Sequence, residues 1–175
     1  MKHFSKLAMD KELVVRVAQR ADAGEIDHLY KQSIRCNKQG FVQDFNFHGS
    51  LWKRSREWRA AGGELLVGRI SNALAGIGAL SPIDSRVAEI CKLHVSANFQ
   101  RRGIGEAIVL TLMRLAQSHN FEEVQLHVTQ SQQSAIRLYQ RLGFEDAETV
   151  QYKTTVFGVE RTFETLYMSK KIASA

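Results

Sequence analysis

Gln100-Arg101-Arg102-Gly103-Ile104-Gly105 is the stretch on which the reading of this chain turns. An apolar, extended run from Ile90 to Val95 precedes it. An amphipathic run follows, with Ile104, Ile108, Leu112 and Leu115 on one stripe. Two glycines one residue apart at a helix start let the backbone turn tightly and let a ligand come close. The first N–H groups of a helix have no partner inside it, and the macrodipole places partial positive charge there. Arg101 and Arg102 add two full charges. The stretch predicts an anion cradle with phosphate as its foremost guest. A tight strand-to-helix turn carrying two solvated arginines is the plainer alternative.

Spacing narrows the guests. A P-loop would close on Gly-Lys-Ser/Thr, which is absent, and a Rossmann turn would place a third glycine where this chain has Ile108.

Outward from the hexapeptide, the pattern gives an order of elements. Glu12 to Gln19 reads as a strand, and Asp22 caps a helix through about Ile34 with Ile26, Leu29, Tyr30 and Ser33 on one face. Residues 37 to 49 lack clean periodicity and read as an ordered loop. Leu51 to Ala61 is a helix stopped by Gly62-Gly63. Leu65–Ser71 and Leu74–Leu80 form a hairpin at Asn72, and Val87–Val95 is a further strand. After the helix that ends near His119-Asn120, Glu123–Thr129 is a strand. Ser131–Leu142 is a helix with Ser131 as its N-cap and Gly143 as its stop. Strands at Thr149–Val156 and Arg161–Ser169 turn at Gly158.

The Gln-x-x-Gly-x-Gly pattern of 100–105 resembles the acetyl-CoA loop of the GNAT N-acetyltransferase superfamily. Ser134-Ala135-Ile136-Arg137-Leu138-Tyr139-Gln140-Arg141-Leu142-Gly143-Phe144 resembles its other characteristic segment, a helix bearing a tyrosine and closing in Gly-Phe. The β-α-α-β-β-β-α-β-α-β-β order is similar to the family's from end to end. The resemblance implies an α/β (α+β) GNAT fold. Its mixed, mostly antiparallel sheet would have about seven strands flanked by about four helices, around a central parallel β-α-β unit with a right-handed crossover. It departs at Gln132, where the family often carries asparagine against the cofactor.

Composition agrees with one globular domain over residues 1–175, which the resemblance implies is an N-acetyltransferase domain. The longest apolar runs fall short of a membrane span, and Met1–Lys11 lacks the apolar stretch of a signal peptide. Cys36 and Cys91 are too few for a disulfide framework or a zinc site, so no metal is expected and a cytoplasmic protein is. The net charge of +6 suits nucleic acid, an acidic partner or an anionic cofactor. The basic residues scatter, apart from a group at Lys53, Arg54, Arg56 and Arg59 that reads as a solvated helix face, so no nucleic-acid partner is expected. A homodimer is compatible with the sequence.

The resemblance implies direct transfer of acetyl from acetyl-CoA to the primary amine of a small molecule or peptide. It places the pyrophosphate on the N–H groups of Arg101, Arg102, Gly103, Ile104, Gly105 and Glu106, after Gln100, with Gln132 nearby. The strand ending at Val95 would splay from the next parallel strand, leaving Leu93, His94 and Val95 with backbone groups for the pantetheine arm and for the thioester carbonyl. Glu89, eleven residues before Gln100, matches the general base of histone-type members, with His94 and His127 as rivals. Tyr139 matches the general acid. Phe41, Phe45, Phe47, Trp52 and Trp58 would line an acceptor wall or pack the core, and Asp44, Glu145 and Asp146 would meet a cationic amine. A non-catalytic acyl-CoA-binding regulatory module is the alternative to an enzyme.

Overall fold

The computed structural model describes residues 12–35, 49–156 and 158–173. Seven strands make one sheet in the order β1-β2-β3-β4-β5-β7-β6. They are β1 Leu13–Val17, β2 Glu64–Ile70, β3 Ala73–Pro82, β4 Val87–Val95, β5 Glu123–Thr129, β6 Glu145–Val156 and β7 Val159–Lys171. Of the strand pairs, β4 with β5 is parallel and the rest are antiparallel.

Four helices cover both faces: α1 Ala23–Arg35, α2 Leu51–Ala60, α3 Ile104–Ser118 and α4 Gln133–Arg141. On one face, Ile26, Leu29 and Tyr30 of α1 with Leu51 and Trp58 of α2 bury against Leu65, Val67, Ile77 and Ala79. On the other, Ile104, Ile108 and Leu112 of α3 with Ile136 and Tyr139 of α4 bury against Ile90, Val124, Leu126, Val128, Leu166 and Met168. Burying such side chains contributes roughly 1.5–3 kcal/mol each. Glycines in β2 and β3 let α3 come close: a Cβ on Gly78 would stand 2.6 Å from Ile108 Cγ2.

Three expectations need correction. Asp22 is not the cap of α1. It closes a 3-10 turn over Arg20–Asp22, accepting from Gln19 N at 2.8 Å, and it is buried in ion pairs with Arg16 at 2.7 Å and Arg69 at 3.1 Å. The Arg16 hydrogen bond holds its carboxyl below the usual range against the opposing effect of burial. Ser131 is not the cap of α4, because the first helical bonds run from Ala135 N and Ile136 N to the Gln132 carbonyl. The last two strands begin earlier and β7 ends later than the pattern suggests, since β6 is an edge strand whose residues 145–149 face water and tolerate charge.

Candidate active site

Parallel pairing of β4 with β5 puts the ends of both strands, and the starts of α3 and α4, at the same end of the sheet. The pairing is short: Val87 to Glu89 face Glu123 to Gln125, and no β5 residue pairs with β4 beyond Glu89. The cause lies on the other side of β4. Between the pairs Ala79↔Cys91 and Ile77↔His94 two residues of β4, Lys92 and Leu93, stand against one of β3, and Lys92 takes φ 55°. Such a bulge bends and twists its strand, here away from β5. The edge of β4 from Ile90 to Val95 is left open toward β5, where the expected splay lies.

The hexapeptide fills the end of this opening. Gln100 follows a 3-10 turn over Ala97–Phe99, and its side-chain amide donates to the Val95 carbonyl at 3.3 Å. Arg101 at φ 63° and Gly103 at φ 75° both adopt the left-handed conformation, and Gly103 is the N-cap of α3. Two such kinks in three residues turn the chain so that the first-turn N–H groups of Ile104, Gly105 and Glu106 precede the first helical bond, made by Ala107 N to the Gly103 carbonyl at 3.0 Å. Arg101 and Arg102 are exposed, with Arg102 over the Phe99 ring. Glu106, an acid within an anion site, is offset by Arg141 of α4 at 2.8 Å.

Gly105 lies in the first turn of α3. A Cβ there would meet Val95 and Leu93 of β4 and Leu138 of α4 at 3.6 to 4.0 Å, which is ordinary contact. The protein itself leaves room for a methyl group here, so packing does not dictate this glycine. A ligand lying along the backbone would. Leu138, which the sequence reading did not single out, shares the α4 face with Ala135 and Leu142.

Tyr139 is buried in the core beneath α4, edge-to-face with Phe144 at 6.0 Å. Burial pushes its phenol up to about 12, and among the described residues no polar group partners its hydroxyl. Ala88 and Ile90 belong to the same core, so Glu89 between them projects from the opposite face. Glu89 Oε1 is buried without a hydrogen-bond partner, although His127 Nδ1 of β5 lies 2.7 Å away, out of line for a hydrogen bond. Gln132 is the N-cap of α4, and its side chain caps nothing there.

His94, a rival base in the sequence, is engaged by α1. Its ring packs against Tyr30 at 5.1 Å and Ser33 Oγ at 2.9 Å, and burial, with Lys92 adding to it, lowers it to about 4. Trp58 is core, 6% exposed, with Arg54 over its ring. Trp52 packs on the same cluster. Glu145 and Asp146 start β6 at the sheet edge, two strands from β5, and face water. Phe41, Asp44, Phe45 and Phe47 lie outside the described residues. Arg59 of the basic group pairs with Glu64 at 2.7 Å. Among the described residues, no cluster suits a metal ion and no helix is long and apolar enough to cross a membrane.

Known proteins share this fold and parts of this sequence. The chain is 32% identical over 101 residues to the mouse (Mus musculus) protein named probable N-acetyltransferase family 8 member 5, covering 57% of this chain and 40% of the relative. It is 39% identical over 72 residues to an uncharacterized N-acetyltransferase of Methanocaldococcus jannaschii, covering 41% and 32%. The chain thus spans less than half the length of these curated relatives. Its fold matches yncA, a putative acetyltransferase from Salmonella typhimurium solved with acetyl-CoA. The TM-score is 0.77 at 16% identity, over 93% of this chain and 95% of the other. It also matches a phosphinothricin acetyltransferase from Sinorhizobium meliloti in complex with acetyl-CoA, with a TM-score of 0.75 at 20% identity over 91% and 88%. Residues 26–144 match the model of the acetyltransferase (GNAT) family, and the chain belongs to that family.

Proposed function

We propose that this chain is an acetyl-CoA-dependent N-acetyltransferase that moves acetyl directly to a primary amine of a small molecule or peptide. The observation that carries the reading is the opening of β4 from β5 with the cradle of residues 100–106 at its end. Family membership and the acetyl-CoA held by two structural neighbours support it.

The residues present fit the cofactor. Free N–H groups at the start of α3, with Arg101 and Arg102, suit a pyrophosphate. The open edge of β4 at Leu93, His94 and Val95 offers backbone groups to an amide-bearing arm, and Gln132 stands at the start of α4. Bound acetyl-CoA would supply the activated acyl group.

A lysine-like acceptor amine, near ~10.4, is overwhelmingly protonated at neutral pH. Glu89 would be the base that takes its proton, a reading supported by its partly enclosed carboxylate beside the half-exposed His127. Tyr139 would stand toward the leaving sulfur of bound acetyl-CoA. With the phenol at about 12 and a thiol near ~8.5, complete transfer from tyrosine to thiolate is uphill by about 5 kcal/mol. Tyr139 therefore acts as a hydrogen-bond donor that disperses charge on the sulfur.

An acceptor panel of polyamines, antibiotics, amino acids and N-terminal peptides tests the reading. Free CoA should appear together with an acetylated amine. Stabilisation by acetyl-CoA without CoA release from any amine would instead identify a binding module.

A further inference from the structure

Acetylation of an ammonium liberates a proton at every turnover, and the group that takes it must be cleared before the next. Glu89 is poorly placed to clear itself: its side chain is 25% exposed, and Oε1 is buried without a hydrogen-bond partner. A carboxylate oxygen kept in that state costs free energy that a structural role does not return. His127 changes this. It lies two residues beyond Gln125, the parallel partner of Glu89, and so on the same sheet face. Its Nδ1 is 2.7 Å from Glu89 Oε1, and its side chain is 52% exposed, twice as open as the glutamate. Tyr167, paired with it across β7, lies against the imidazole with ring centroids 5.5 Å apart and supports it by packing.

We propose that His127 is the proton relay between Glu89 and solvent. The inference rests on the acetyltransferase reading. The Glu89 carboxylate takes one proton from the acceptor ammonium, freeing the nitrogen lone pair. A small rotation of the half-exposed imidazole brings Nδ1, 2.7 Å away, into line with Oε1, and the carboxylic acid passes that proton to the unprotonated Nδ1, leaving carboxylate beside imidazolium. The half-exposed ring turns outward, gives the proton from Nδ1 to water, and returns neutral. One proton enters from the ammonium and one leaves to water, and both side chains end as they began.

The test is chemical rescue, using an amine acceptor identified by the panel. His127→Ala should lower kcat by about tenfold or more, with the KM for acetyl-CoA little changed, and free imidazole in the buffer should restore kcat saturably. Glu89→Gln should be slow and should not respond to imidazole. His127→Gln, which keeps a polar side chain without a titrating nitrogen, should be as slow as His127→Ala. It also carries the test alone if the alanine variant fails to fold. Wild-type turnover in the histidine variants, or a slow His127→Ala enzyme that imidazole leaves slow, overturns the relay while leaving Glu89 as base. Wild-type turnover in Glu89→Gln overturns the base assignment and the relay with it.

Discussion

Tyr139 and Glu89 lie on opposite faces of one sheet, and their surroundings differ. The tyrosine is enclosed by apolar side chains and stays protonated, with its phenol near 12. The glutamate has an open neighbour in His127. Tyr139→Phe removes one hydroxyl and keeps the ring, so the core should survive. Turnover should fall by about 10²–10³-fold, the loss of one fixed hydrogen-bond donor, with acetyl-CoA affinity within a few-fold, as steady-state kinetics and calorimetry would read. Glu89→Gln should cut turnover at pH 7. The deficit should shrink as pH rises toward the acceptor's own value, near ~10.4, because free amine then forms without help. Parallel pH–rate profiles for the two forms would exclude Glu89 as base. At this scale, Tyr139 and Gly105 were legible because each sits in a fixed local pattern. The contact of Glu89 with His127 was not legible, since it depends on the parallel register that pairs Glu89 with Gln125.

Among the elements, α3 positions the site, and what positions α3 is the glycine-lined surface of β2 and β3 beneath Ile104 and Ile108. Gly78→Ala would put a methyl 2.6 Å from Ile108 Cγ2. Overpacking of this kind costs about 1–3 kcal/mol. The variant should melt several degrees lower and bind acetyl-CoA more weakly, because the helix start moves off the end of β4. Calorimetric melting and titration check both, and an unchanged melt would show that α3 is held elsewhere. The helices and central strands were readable from periodicity. The bulge at Lys92 that opens the site was not, for nothing in Cys91-Lys92-Leu93-His94 marks a lysine for the left-handed region. The early start of β6 was masked by its own charges, Glu145, Asp146 and Glu148, which a water-facing edge strand accepts.

For the whole molecule, the enclosed neutral His94 makes stability depend on pH in a stated direction. Its folded value is about 4 against an ordinary 6.5, so between those values the unfolded chain binds the proton more readily. The contribution is complete above about pH 6.5 and is lost as pH falls toward 4. The loss between pH 7 and pH 5 should be about 2 kcal/mol, or about 4–8 °C in melting midpoint for a chain of this size. Asp22 joins only in the more acid range, below its ordinary 3.8. His94→Gln should flatten the midpoint between pH 7 and 5. A slope equal to wild type would mean that other groups carry it.

Whether acetyl-CoA is held where α3 begins can be read from melting with and without acetyl-CoA in wild type and Gly105→Asp. A Cβ at position 105 meets only ordinary contacts, and an acid in the first turn of a helix is electrostatically favourable, so the variant alone should melt close to wild type. At a hundredfold excess over the dissociation constant, acetyl-CoA should stabilise wild type by about 2.7 kcal/mol, a midpoint rise of about 5–10 °C. In Gly105→Asp, where a carboxylate stands against the pyrophosphate, the rise should vanish. An equal rise in both proteins would place the cofactor elsewhere and contradict the account.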